Sequence, residues 1–281
     1  MRIAIASGKG GTGKTTVAVN LSTYISKYAG TTHYIDCDVE EPNGHLFLHP
    51  EINKTEPVAI SVPDIATEKC TACGECVRFC RYNALIRLGK KVMIFPELCH
   101  GCGGCMLVCS EMAIRTADRE IGTVRSGAAL HIKFTDGYLS VGEAMSPPVI
   151  RSVLERIQTE HVTIIDAPPG TSCPVIAAVR NVDYVILVTE PTPFGLNDLS
   201  LALDMIRELG VPHGVVVNRA EKDNHDAEEF CRRKNVTLIA DIPESREIAS
   251  LYSRGEILIG KVAGIDEIFA EIWKHVRRSI S

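Results

Sequence analysis

The sequence predicts an α/β protein, a mostly parallel β-sheet flanked by helices and interrupted by a cysteine-rich insertion. Three observations predict it. An apolar strand, a glycine-rich loop and a one-faced helix open the chain. Beyond about residue 120, apolar strands alternate with helical patterns, as expected for βα units around a parallel sheet. Between the two lie eight of the chain's 11 cysteines, from Cys70 to Cys109.

The elements follow in order. The first strand is Arg2–Ser7. After the loop, Val17, Leu21, Tyr24, Ile25 and Tyr28 recur at helical spacing on one face. A second strand, His33–Asp36, runs into Asp36-Cys37-Asp38. Beyond the cysteines comes a helix over Val149–Gln158, then a strand Val162–Ile165 ending at Asp166. Tyr184–Thr189 is a nearly continuous apolar run, suited to a parallel strand buried on both faces. Helix Leu199–Leu209, strand Gly214–Asn218 and a short strand Thr237–Ala240 follow. A last helix carries Ile265, Phe269, Ile272, Val276 and Ile280 on one stripe. We therefore expect one domain built from residues 1–56 and 120–281, with a second domain, 57–119, inserted into it.

Composition narrows the function classes. Lys and Arg number 30 against 35 Asp and Glu, a formal charge of −5, which gives no footprint for nucleic acid. No apolar run approaches the ~20 residues that span a bilayer. The N-terminus lacks the apolar core and cleavage site of a signal peptide. A cytoplasmic chain with neither nucleic-acid nor membrane partners is expected.

Gly8-Lys9-Gly10-Gly11-Thr12-Gly13-Lys14-Thr15 fits the phosphate-binding loop G-x-x-x-x-G-K-[ST], in its required place between a strand and a helix. The glycines let backbone N–H groups turn toward phosphate oxygens, and the helix adds its positive end. Lys14 is expected to reach the β- and γ-phosphates and Thr15 to hold Mg²⁺. The fold class is thus a P-loop NTPase.

Lys9 is a second lysine that ordinary phosphate loops do not need. With it, Gly8 through Thr16 resembles the deviant Walker A motif of the MinD/Mrp family of P-loop ATPases. That family includes the nitrogenase iron protein, arsenite-pump ATPases and Mrp cluster carriers. The resemblance implies an ATP-dependent homodimer in which Lys9 crosses to the partner's phosphates. Asp36-Cys37-Asp38 looks like its switch I, where Asp38 orients the attacking water. Thr163 to Thr171 resembles its Walker B and switch II, with Asp166 behind the Mg²⁺ and Gly170 facing the γ-phosphate. Asn218 and Arg219 stand where the family binds adenine, and Pro243 and Glu244 where a loop flanks the base.

Cys70, Cys73, Cys76 and Cys80 have the spacing C-x₂-C-x₂-C-x₃-C, and Cys99, Cys102, Cys105 and Cys109 repeat it 29 residues later. This resembles the bacterial two-cluster ferredoxins, in which the fourth cysteine of each run ligates the other cluster. That pattern assigns Cys70, Cys73, Cys76 and Cys109 to one [4Fe–4S] cluster, and Cys99, Cys102, Cys105 and Cys80 to the other. Structural zinc, which also uses C-x₂-C pairs, is the competing reading. Ferredoxins of this kind usually place Pro after the fourth cysteine, whereas Arg81 and Ser110 stand here. The whole chain is similar to a MinD-like ATPase with an inserted ferredoxin domain.

Three cysteines remain. Cys231 reads as an ordinary helix residue, and Cys37 as a small core residue under its loop. Cys173, seven residues after Asp166, reads as a core thiol, with a redox or metal role tied to switch II as the alternative. Three functions are open. The first is ATP-gated electron transfer to an unidentified redox or iron–sulfur client. The second is an iron–sulfur carrier of the Mrp type, though no C-x₂-C lies outside the insertion. The third is positioning in the manner of MinD, which would need a membrane-binding amphipathic tail.

Overall fold

The computed structural model describes residues 1–280. β1 (Arg2–Ala6) leads through the glycine-rich loop into α1 (Lys14–Tyr28), and β2 (Thr32–Asp36) follows. A short α2 (His45–Leu48) precedes β3 (Glu51–Ile65). The cysteine-rich stretch carries α3 (Glu75–Phe79), β4 (Leu85–Leu88), β5 (Lys91–Ile94) and α4 (Gly104–Leu107). The chain returns along β6 (Ile114–Ala129) and β7 (Ile132–Leu139). Then come α5 (Pro147–Leu154), β8 (Val162–Asp166), α6 (Cys173–Val179), β9 (Tyr184–Thr189) and α7 (Pro193–Glu208). β10 (His213–Ala220), α8 (Asp226–Lys234), β11 (Leu238–Pro243), α9 (Arg246–Ser253) and α10 (Ile265–Ile280) complete the order.

One nine-stranded sheet runs β11-β10-β9-β1-β8-β2-β7-β6-β3. Its strands are parallel from β11 through β7, and antiparallel at β7–β6 and β6–β3. The mostly parallel sheet expected from the sequence is therefore present. Asp36 pairs in register with Asp136 on one side and Asp166 on the other. Three carboxylates thus form a row across β7, β2 and β8, beside the glycine-rich loop.

The parallel strands β1, β2, β8, β9 and β10 each feed two cores. On one face Ala4, Ile35 and Ile165 meet α5, α6, α7 and α8; on the other Ile3, Tyr34 and Ile164 meet α1, α9 and α10. Cys37 and Cys231 are buried in the first core, as ordinary core thiols would be. Ile265, Phe269, Ile272 and Val276 of α10 are buried in the second, so this helix spends its apolar stripe on its own sheet. No helix among the described residues is long and apolar enough to cross a membrane.

β3 and β6 form a long two-stranded ribbon at the sheet's edge, paired from Glu51↔Ala128 out to Ile65↔Ile114. The pairing passes straight through residues 57 and 119. The sheet carries Pro57 and Pro63 because β3 is the edge strand, where a missing N–H costs no ladder bond. Gly122 and Gly127 of β6 are close-approach positions. A Cβ on Gly122 would strike the Tyr138 carbonyl, and one on Gly127 the Glu51 carbonyl.

Candidate nucleotide site and cysteine centre

The glycine-rich loop is shaped by two tight contacts. A Cβ on Gly8 would collide with the backbone carbonyl of Asp198 in α7. Gly13, at φ 92°, caps α1 in the left-handed region, and a Cβ there would collide with the Asn218 amide. Asn218 is buried, and its Nδ2 donates to the Thr12 carbonyl at 2.9 Å. The end of β10 therefore braces the loop from below. The Thr12 hydroxyl is buried without a partner.

Lys14, 7% exposed, sits between two carboxylates, 3.8 Å from Asp38 Oδ2 and 3.9 Å from Asp166 Oδ1. Asp166 is fully buried; its Oδ2 accepts from the Tyr34 hydroxyl at 3.0 Å, and its Oδ1 has no hydrogen-bond donor. Burial raises its pKa, and Lys14 opposes that rise. Asp36 accepts from the backbone N–H groups of Asp38, Asn43 and Gly44 at 2.9–3.1 Å. It ties down the loop that presents Asp38. Burial and the neighbouring Asp166 push its pKa well up. Asp38, partly exposed, is raised to about 6 by burial, with Lys14 pulling the other way.

A cleft gathers most of the residues singled out from sequence. Gly10, Gly11, Gly13, Lys14, Thr15, Thr16 and Asp38 line one side, and Asn218, Arg219, Pro243 and Glu244 line the other. Gly170, at φ 95°, donates its N–H to the Ser7 carbonyl at 2.9 Å. Lys9 stands outside the cleft, 3.8 Å from Glu190 Oε2. Sequence reasoning missed the far wall, made by Ser245, Ile248, Ala249 and Tyr252 at the start and along one face of α9. The signal was present as Ser245, an N-cap whose hydroxyl accepts from Glu247 N–H, followed by apolar residues at helical spacing.

This arrangement suits a magnesium nucleotide. An orphaned buried carboxylate oxygen, the Thr15 hydroxyl in the cleft and the buried Lys14 ammonium supply what a divalent cation and phosphates need.

The eight clustered cysteines divide between two cavities. Cys80, Cys99, Cys102 and Cys105 line the larger, and Cys70, Cys73, Cys76 and Cys109 line the smaller. The chain folds this way because the 29-residue repeat is also a backbone repeat. Ala72, Gly74 and Asn83 have left-handed φ, and so do Gly101, Gly103 and Met112, each 29 positions on. α3 and α4 are the corresponding helical turns. Such alternation turns N–H groups inward. Gly101 N–H donates to Cys99 Sγ and Ala113 N–H to Cys109 Sγ, both at 3.4 Å. Cys76 and Cys105 are buried, which raises both thiols. Among the described residues, no three His, Cys, Asp or Glu side chains converge tightly enough to hold a single ion. Tyr82 and His100 stack at the larger cavity, with ring centroids 3.7 Å apart.

Cys173 departs from the sequence expectation. It is exposed at the first position of α6, not in the core. The inward face of α6 is taken by Val175, Ala178 and Val179, and position 173 falls on the opposite side of the helix.

Residues 3–259 match the model of the CobQ/CobB/MinD/ParA nucleotide-binding domain. An uncharacterized protein of Methanocaldococcus jannaschii is 33% identical over 91% of this chain and 90% of its own length. An iron–sulfur cluster carrier protein of Pyrococcus horikoshii is 25% identical over 77% of this chain and 60% of its own. Among solved structures, the septum site-determining protein MinD of Pyrococcus horikoshii, complexed with Mg-ADP, superposes with a TM-score of 0.61. It is 18% identical, over 98% of this chain and 95% of that one.

Proposed function

The chain belongs to the CobQ/CobB/MinD/ParA nucleotide-binding family, and on that premise we propose that it is an ATPase whose nucleotide-dependent homodimer gates electron transfer through two [4Fe–4S] clusters. The observation that carries this reading is the sorting of eight cysteines into two cavities. Each cavity takes three cysteines from one run and the last cysteine of the other, which is the crossed pairing of two-cluster ferredoxins. Two complete four-cysteine runs of identical spacing support clusters over structural zinc, which also uses C-x₂-C pairs. Four thiols at each cavity are the donor set of a [4Fe–4S] cluster, which would supply one-electron transfer.

The rest follows from this chain's own groups. Lys14 now neutralises Asp38 and Asp166, so it is positioned to move to phosphate and leave Asp38 free to orient water. The Gly170 N–H, now spent on Ser7, can turn to a γ-phosphate that ADP lacks. Asp36 ties the Asp38 loop to the row of aspartates, and β6 of the ribbon pairs directly with β7, the strand that carries Asp136 of that row. Lys9 would exchange Glu190 for the partner's phosphates. Asn218, Arg219, Pro243 and Glu244, which line the far side of the cleft, would hold the base, and Thr15 would hold Mg²⁺.

Carriage of labile clusters, as the Pyrococcus relative's name describes, is the second reading, favoured by that likeness. Two measurements decide between them. Anaerobically purified protein should contain about eight irons with matching acid-labile sulfide. Cluster potentials, or transfer rates to an acceptor, should differ between ADP and a non-hydrolysable ATP analogue. Unchanged potentials and rates, with clusters lost readily to an apo-acceptor, would favour the carrier. Stoichiometric zinc in place of iron would remove both readings.

A further inference from the structure

α5 and α6 lie side by side on the sheet and bury one face each: Val149, Ile150 and Val153 from α5, and Val175, Ala178 and Val179 from α6. Their outer stripes face a shared groove of about 560 Å³. Pro147, Arg151 and Leu154 line it from α5, and Cys173, Ile176, Ala177 and Arg180 from α6. These are i, i+3, i+4 and i+7 positions, so each helix presents one continuous ridge. Leu154, Ile157, Ala177 and Val182 make a half-buried apolar floor.

The rim has one dominant sign. Arg2, Arg151 and Arg180 line the groove against a single carboxylate, Glu155. None of the three arginines makes an ion pair among the described residues; Arg2 donates from Nη1 to the Asn181 carbonyl and from its backbone N–H to Asp183. This occurs in a chain of net charge −5, where unpaired clustered cations are unexpected. Two parallel ridges with an apolar floor between them match the shape of a third helix. Three guanidiniums at the rim match carboxylates.

We propose that the α5–α6 groove is a docking site for an amphipathic, acidic helix of a partner protein. α5, which forms one wall, is eight residues or about 12 Å long, so a helix laid along it would make about two turns of contact with apolar residues at i, i+3 or i+4, and i+7. This site is separate from the nucleotide cleft and from both cysteine cavities. α6 begins two residues after Thr171, the end of the loop carrying Asp166 and Gly170. An occupant would therefore press on the segment that leads out of the nucleotide site.

The test uses the full, cluster-loaded chain and two fluorescent synthetic helices of about four turns. They share one leucine stripe and differ in carrying glutamate or lysine on the flanks. Anisotropy should show the glutamate peptide binding at least tenfold more tightly, with the preference shrinking as salt rises. The double variant Arg151→Glu, Arg180→Glu should weaken it at least tenfold and leave ATP binding unchanged. Ala177→Trp, which fills the floor and keeps the charges, should also block it. Equal binding of both peptides, or indifference to these substitutions, overturns the proposal. So would self-association of the chain that the double variant abolishes while peptide binding is undetectable, because the occupant would then be a second copy.

Discussion

Glu190 holds Lys9. The ammonium lies 3.8 Å from Glu190 Oε2, and the same carboxylate accepts from Arg219 Nη1 at 2.5 Å. Lys9 is one-third exposed, so its pair contributes in the range of surface ion pairs, about 0.2–1 kcal/mol. If Lys9 must leave Glu190 to reach a partner's phosphates, that contribution opposes dimerisation. Glu190→Gln should therefore lower the protein concentration needed for ATP-dependent dimerisation, by about 1.4-fold to fivefold per chain. Lys9→Ala should keep ATP binding and lose both dimerisation and hydrolysis. Sedimentation with ATP and with ADP, beside turnover, reads both.

Lys14→Ala should abolish ATP binding, since it removes the loop cation that faces the phosphates. It should also leave the buried Asp166 carboxylate without its neighbouring cation, held by the Tyr34 hydroxyl at Oδ2, and so lower stability. Calorimetric titration beside urea unfolding separates the two effects.

The pH dependence of Asp38 has a definite sign. Burial raises its folded-state pKa to about 6, above the unfolded value of 3.8. The folded chain therefore binds this proton more tightly than the unfolded one, and stability falls as pH rises between those values. Above about 6 the whole cost is present, on the order of 2 kcal/mol. Asp38→Asn should be more stable than the parent at pH 8, with the difference fading below pH ~4. It should bind ATP without turning it over. On the proposed role of Asp38 in orienting water, the parent's hydrolysis should drop toward acid pH, because the carboxylate becomes protonated. An Asp38→Asn chain less stable than the parent at pH 8 would contradict the burial argument.

Arg125 of β6 makes a two-pronged pair with fully buried Asp136, at 3.0 and 2.6 Å, and also donates to the Tyr138 hydroxyl at 2.6 Å. Removing one partner of such a pair strands a buried charge. Arg125→Met should lower the unfolding free energy by about 3 kcal/mol, and Asp136→Asn in the same chain should recover more than half of it. Urea unfolding of the three variants measures the coupling.

If the proposed clusters are held as the crossed pairing requires, Cys80→Ser should disturb the one on Cys99, Cys102 and Cys105, and spare the one on its sequence neighbours Cys70, Cys73 and Cys76. Low-temperature spectra of the reduced variant distinguish the two outcomes.

The parallel part of the sheet was legible because its strands are buried on both faces and read as unbroken apolar runs, as in Tyr184–Thr189. β3, β6 and β7 were not legible. Pro57 and Pro63 look like strand breakers until β3 is seen at the edge. Gly122, Gly127 and Gly137 look like turns, yet each marks a close approach: Gly137, for example, leaves room for Val39 and for Val149 and Val153 of α5. The phosphate loop was legible as a local spacing. The brace from Asn218 to Thr12 was not, because it joins residues 206 apart in sequence. Cys173 was misread because residue type alone favours burial for cysteine, while the helical register of α6 turns it outward.

The ribbon has an architectural consequence. Ile65 and Ile114 face each other as the last register pair of β3 and β6, and partners in an antiparallel ladder lie only about 5 Å apart. The entire stretch from 66 to 113 thus enters and leaves through a gap that a tight reverse turn can bridge. The cysteine lobe is a graft on the tip of a hairpin. The same stem would accept a different module, or a two-residue cap, with the ladder beneath it intact.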